Sequence, residues 1–473
     1  MDNIITKQDI IILLSKPVQY EYFFKHLDKP KWFDYLSNEL KVFDAIPKPE
    51  FTDDGEYTQF PPWWPGLYLE KVADKIPDKV FNVIMKIETN NIDAHVHCAK
   101  AILNMPTGFV KEKLKEIITL LDKWLDSIYP SYVHDLVIDL FKKFIDMKFY
   151  DETCRLFDIL SKMKRNKIQG IEFRIESYYY DEIIKKHLPK LIQKRPFVIL
   201  DIIDKRFREA LNLDNGELVK TTSEFWRATI EDTDQTWGHG TKYRLFVVLR
   251  DSMEKVAEID SKKTVGIVER YLKDEYLIFV RLAIHIIRES KFDNLAVSIL
   301  TDKNNLYESE IFHEYALLMQ ERFSVLNATQ KNQLIDWILK GPIRDDLKDD
   351  PKLSRRWIAR WLFIIKKHLE TDMEIANKKY LIDKYSKDFK KIKHPTLLSY
   401  TRTFTGPRSP LTADRLQKMT PREFVSWAKN EFKPPYDPFI GTPEGVSRLL
   451  EEIIKNNPEI YSHIQPVSAT LDN

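Results

Sequence analysis

Glycine is the scarce residue in this chain, 12 among 473, against a usual share of roughly 7%. Phosphate-cradling loops, sharp strand turns and doubly wound sheets all draw on glycine, because it takes positive φ without steric cost. A nucleotide fold is therefore poorly supplied, and neither GxxxxGK[ST] nor GxGxxG occurs. The "GHG" at residues 238–240 reads as loop, not as a phosphate cradle. Cysteine is rarer still: Cys98 and Cys154 cannot build a disulfide framework. Long apolar runs are missing, since none reaches the roughly 20 residues of a membrane span. The first apolar run, "IITKQDIIILL" (4–14), is broken by Lys7, Gln8 and Asp9 and lacks the marks of a signal peptide. An excess of one charge is also absent. Lys and Arg number 74 and Asp and Glu 72, so no global pull towards nucleic acid or anionic lipid is expected. A cytoplasmic protein with no membrane partner, no cofactor and no small-molecule substrate is the expectation.

Hydrophobic residues make up 43% of the chain and charged ones 31%, enough apolar material for a sizeable core. The apolar positions recur at helical spacing. Val80, Val83, Ile84 and Ile87 form one stripe; Leu114, Ile117, Ile118, Leu121 and Leu125 form another. "YRLFVVL" (243–249) could pass for a strand, but Leu249, Met253, Val256 and Ala257 continue it at helical spacing, which predicts a helix. Short joints such as Lys16-Pro17 and Ile76-Pro77-Asp78 place proline in a first helical turn, where its missing N–H costs nothing. Thr107, Ser131, Asp260 and Thr420 stand where N-caps belong.

Residues 80–103 align without a gap on residues 264–287. Ile84 meets Val268, Val96 meets Val280, Ala99 meets Ala283 and Ile102 meets Ile286. Both segments read as helix, polar joint, helix, the pattern of a divergent repeat stack. Two stretches break the rhythm. Residues 213–242 hold three of the glycines and many polar turn formers, and read as an insertion loop. "TGPRSPL" (405–411) and "KPPYDPF" (433–439) mark a C-terminal cap of short helices. The expected architecture is all-α: a right-handed α-solenoid of HEAT-like helix pairs. Its parts are a first helical half (1–212), a polar insertion (213–242), a second half (243–400) and a helical cap (401–473).

"TQFPPWWPGLYLEKV" (58–72) raises a choice between an aromatic ligand surface and a bolted helix entry. Pro61 and Pro62 hold the chain extended and Pro65 suits a first turn, so Trp63 and Trp64 are expected to pack the entry onto neighbouring helices. His95, His97 and Cys98 resemble a metal motif only loosely. His95 and Cys98 share a helix face, His97 does not, and no second ligand pair lies near in sequence, so ordinary helix residues are expected. "DFKK" (388–391) has nuclease-like spacing on what reads as a solvated helix, and no G-x-S-x-G occurs. No catalytic, cofactor-binding or metal-binding residue is assigned.

Five segments carry a resemblance: "FPPWWPGLYLEKVA", "IPDKVFNVIMKIETNNIDAHVHCAKAILNMP", "IFHEYALLMQERFSVLNATQKNQLIDWI", "GPRSPLTADRLQKMTPREF" and "GTPEGVSRLLEEIIKNNPEIY". In order along nearly the whole chain they resemble large bacterial helical-repeat proteins associated with anti-phage defence, including the sensor arms of STAND-type ATPases. The resemblance implies a repeat arm without the ATPase, and no catalytic residue is carried over, because none of the matching segments is catalytic.

The expected role is a non-catalytic recognition or scaffold protein whose partner is another protein. The nominated partner-binding residues are Trp226 and Trp237 in the insertion and Lys164, Arg165, Lys167 and Arg195 in the basic clusters. The insertion is expected to be cut first by protease and shielded by the partner. A nucleic-acid-binding solenoid is the second reading and requires the basic clusters at 162–167, 185–195 and 390–394 to converge. An enzyme without a motif is the third. It requires clustered, buried carboxylates, His and Lys with shifted ionisation in one cleft.

Overall fold

A computed structural model describes residues 6–51, 58–125, 131–166, 170–213, 227–236, 240–343, 348–400, 409–432 and 442–456. Nearly all of its regular structure is helical. In chain order the first helices are α1 (Lys7–Leu14), α2 (Pro17–His26), α3 (Pro65–Val72), α4 (Pro77–Ile84), α5 (Ile92–Asn104) and α6 (Thr107–Glu112). Then come α7 (Leu114–Leu125), α8 (Ser131–Asp146), α9 (Tyr150–Leu160), α10 (Ser177–Glu182), α11 (Leu188–Lys194) and α12 (Pro196–Leu213). After the insertion follow α13 (Thr241–Ile259), α14 (Ser261–Tyr271), α15 (Leu277–Glu289), α16 (Asp293–Thr301), α17 (Lys303–Tyr307), α18 (Phe312–Arg322) and α19 (Ala328–Lys340). The last are α20 (Pro351–Ile364), α21 (Lys366–Thr371), α22 (Tyr380–Phe389), α23 (Ala413–Lys418), α24 (Pro421–Asn430) and α25 (Pro443–Asn456).

Met1–Leu398 form one compact unit and Ser399–Asn473 a second. In the first, both expected helical halves share one apolar core. Helices pack on elements close to them in sequence: α3 on α5, α5 on α8, then α12 on α13, α13 on α15, α15 on α18 and α18 on α20. The second unit has its own core, in which Leu411, Leu416, Phe424, Trp427, Val446 and Ile453 are buried.

The gapless alignment of 80–103 on 264–287 is matched in burial. The helices α4 and α14 are each followed by a short joint and by α5 and α15 respectively. Ile84 and Val268 are buried at equivalent positions, as are Ala99 and Ala283, and Ile102 and Ile286. The segment 243–249 is helix within α13, as its continuing period predicts. Asp260 caps α14 by accepting from the Lys263 N–H, and Thr420 and Glu423 form a capping box on α24. Thr107 is instead the first helical residue, with Pro106 in the cap position.

Two features depart from plain helix pairs. Antiparallel strands β1 (Glu50–Phe51) and β2 (Thr58–Gln59) precede the Trp63 entry, and β3 (Met163–Asn166) pairs with β4 (Gly170–Phe173). Between α10 and α11 a wide turn spans Ile183–His187, and the Leu188 N–H reaches back to the Ile183 carbonyl. Pro189 explains it: with no N–H and a ring that crowds the preceding turn, it cannot continue an ordinary α ladder. Glycine scarcity is met in an unexpected way. Every non-glycine residue with positive φ among those described is a lysine, namely Lys41, Lys148 and Lys291, each at or just beyond a helical end where glycine usually sits.

Candidate functional site

The helix entry at 61–65 is bolted, as expected for Trp63. Trp63 is 1% exposed, and its backbone N–H donates to Asp93 Oδ2 at 2.6 Å. Buried Asn91 caps α5 and also donates from Nδ2 to the Pro47 and Pro61 carbonyls at 3.0 and 2.8 Å. Trp64 is half-buried with the Lys25 ammonium 5.0 Å from its ring. Beneath the entry, α3 and α5 touch through Gly66: a Cβ there would lie 2.5 Å from His97 Cβ.

The His95, His97 and Cys98 trio separates into different tasks. His97 contacts Glu70 through Nδ1, and its Nε2 lies 3.4 Å from Asp93 Oδ2. Burial disfavours its charge, but Asp93 and Glu70 outweigh burial and raise its pKa to about 9. His95 stacks on Trp124 with ring centroids 5.2 Å apart, and burial lowers its pKa to about 4, so it is neutral at pH 7. Cys98 is buried and its thiol pKa is pushed well up. Among the described residues no group of His, Cys, Asp and Glu is arranged to hold a metal ion.

The nominated basic residues that are described differ in their surroundings. Lys164 and Arg165 are exposed on β3, where Lys164 stands opposite Glu172 and Arg165 opposite Ile171. Arg195 forks onto Asp151, with Nη2 to Oδ2 at 3.2 Å. Lys162 and Arg174 both bind Asp122, Lys186 binds Glu182, and Lys190 lies 3.5 Å from Asp146. Of the neighbouring tyrosines, Tyr180 is buried against Phe173 and Tyr178 is exposed. Asp388 of the nuclease-like "DFKK" is paired with Arg355 at 2.8 Å. Lys167, Trp226 and Trp237 lie outside the described residues.

What the sequence reading missed is a buried charge cluster. Residues 227–236, in the expected polar loop, cross α13, α15 and α18. Arg227, Thr229 and Ile230 are fully buried. Arg281, 1% exposed, binds Glu314 at 2.9 and 3.0 Å and donates to the Arg227 and Ala228 carbonyls at 2.7 and 2.9 Å. Arg250 reaches Asp232 at 3.0 Å and the Ile230 carbonyl at 3.2 Å. Glu231 meets His313 Nε2 at 2.9 Å, while His313 Nδ1 lies 3.0 Å from the Thr396 carbonyl. Burial would raise the Glu231 pKa, but His313 and Arg288 pull it down to about 2. The same contact raises the His313 pKa against the effect of burial. His285 completes the group through Glu254 at 2.9 Å. The signal was present in "LIFVRLAIHIIRE": Arg281, His285 and Arg288 fall at i, i+4 and i+7 on an otherwise apolar helix.

A second arrangement is open. A groove of about 1050 Å³ is lined by residues within 37–51, 58–60 and 83–90. Phe43, Ile46, Phe60, Val83 and Ile87 give it apolar lining, and Lys41, Lys48 and Lys86 line it as exposed cations beside Asp44 and Glu88. Residues 87–90 also wall a smaller cavity of about 320 Å³, which His95, Lys123 and Trp124 line. None of the buried cluster's residues lines either space. No helix among those described is long and apolar enough to cross a membrane. Comparisons with protein-family models, curated proteins and solved structures give no match to this chain.

Proposed function

We propose that this chain is a non-catalytic recognition or scaffold protein, a right-handed α-solenoid of HEAT-like helix pairs that binds another protein. One observation carries the reading: the titratable groups gathered under residues 227–236 are mutually paired, whereas the large open groove is lined by apolar, polar and charged side chains, and its lysines pair with no acid among the described residues. Binding surfaces need shape, apolar anchors and charge, while catalysis needs convergent groups within reach of a substrate. The clustered carboxylates and histidines meet part of the condition set for the enzyme alternative. Their arginine partners and the covering segment 227–236 favour an architectural role. The nucleic-acid alternative draws less support, since Lys162, Arg174 and Arg195 are paired with aspartates.

A role in bacterial phage defence rests on the segment resemblance alone. Chemical cross-linking of the tagged full chain in its native host, followed by mass spectrometry, tests the reading. A protein joined reproducibly to lysines of this chain is the expected result. Nuclease, protease or nucleotide turnover that co-elutes with the chain and disappears on one substitution in it would overturn the reading. Deleting the gene and challenging the host with a phage panel tests the defence role; unchanged plaque counts would remove it.

A further inference from the structure

We infer that the groove lined by residues 37–51, 58–60 and 83–90 receives an extended acidic segment of a protein partner, anchored by an apolar side chain. The inference rests on the protein-binding role proposed above and names the partner's chemistry. Three observations point to it. Lys41, Lys48 and Lys86 line the groove and, unlike Lys162 or Arg195, make no ion pair or hydrogen bond among the described residues. With Lys123 in the adjoining cavity, the described residues that line the two spaces include more cations than carboxylates, the latter being Asp44 and Glu88. The apolar lining is also unfinished: Ile46, Phe60, Val83 and Ile87 are only partly buried, and Phe51 is 68% exposed.

These states fit one kind of occupant. Half-covered apolar side chains favour a ligand that brings an apolar anchor. Unpaired lysines around it favour carboxylates, which steer the encounter and fix register. The space is at the upper end of that used for small ligands and is partly open to solvent, so a chain segment could enter it. Partly buried apolar side chains between the lysines suit an occupant with an apolar side-chain anchor better than a continuous phosphate backbone, so a peptide is favoured over a nucleic-acid strand.

The test is selection of a displayed random 12-residue peptide library on the intact full-length chain, beside the Lys41→Glu/Lys48→Glu/Lys86→Glu variant. These lysines are exposed and unpaired among the described residues, so the variant is expected to fold, which its helical circular dichroism and melting will verify. Wild type should enrich peptides with acidic residues around an apolar anchor. A resynthesised peptide should bind the variant at least ten-fold more weakly, and replacing its anchor by serine should have a similar effect. Neutral or basic consensus peptides, or affinity that the variant leaves unchanged, would overturn the inference while leaving protein recognition elsewhere on the chain intact. Displacement of the peptide by oligo(dT) at equal or lower concentration would transfer the groove to nucleic acid. Failure to enrich any peptide, together with no cross-linked partner, would sink both this inference and the function it rests on.

Discussion

Under residues 227–236, buried arginines meet carboxylates within about 3 Å, and Glu314 is buried with Arg281; in the groove beside α4 the lysines are exposed and unpaired among the described residues. Both regions gather charge next to apolar side chains, yet the physical consequences are opposite. A buried pair resists removal of either member, because the survivor stays desolvated without compensation. An exposed lysine adds little to stability and remains available to a ligand. Charge that is already answered within the molecule belongs to its architecture; charge that is not answered is a candidate for recognition.

The largest expected effect tests the architectural half of this contrast. Arg281→Met leaves Glu314 buried and unpaired, and urea titration should register a loss of about 3–5 kcal/mol. Arg281→Met/Glu314→Leu should recover most of it. If the single variant unfolds like wild type, the cluster is not structural. Next comes Gly66→Ala, which drives a methyl group against His97 and should cost about 1–3 kcal/mol. A crystal structure of that variant should reveal α3 displaced from α5.

Acid and base separate the two regions further. Glu231 has a folded pKa depressed to about 2, so its stabilising contribution is present above the ordinary glutamate range and is lost as pH falls towards 2. His97 has a folded pKa raised to about 9, so its contribution is complete below about 6.5 and is lost as pH climbs through about 9. His313, also raised, weakens the cluster in the same alkaline direction. Denaturation midpoints of wild type and His97→Gln should therefore differ most near pH 6 and converge by pH 10, a change on the order of 2 kcal/mol. A constant difference across that range would remove the charged His97 lock. The smallest effect is reserved for the groove: Lys41→Glu/Lys48→Glu/Lys86→Glu should leave unfolding free energy within about 0.5 kcal/mol of wild type. A larger loss would mean that these lysines support the fold and that the contrast fails on its open side.

Much of the helical content was legible because apolar period and proline position are local signals. Pro65 and Pro77 open α3 and α4, and aligned positions of α4–α5 and α14–α15, such as Ile84 and Val268, are alike in burial. The burial of Trp63 was legible for the same reason. The short pairing of β3 with β4 was not, since "KMKRNK" advertises charge and its register depends on Phe173 and Tyr180 stacking some distance along the chain. The burial of segment 227–236 was not legible for a related reason. Its composition is polar, and the arginines and glutamate that bury it lie on α13, α15 and α18, between about 20 and 90 residues away. The groove escaped notice because its wall combines β1, β2 and the joint after α4, none of which carries a motif.

The segment 227–236 also has a mechanical meaning. Helices that pack on elements close to them in sequence leave junctions at which small slips relieve load. Here a tie crosses α13, α15 and α18 and is pinned by Arg250, Arg281 and His313. Slip at any of those junctions stretches the tie. That part of the molecule is accordingly the stiff member, and imposed strain is taken up away from the tie.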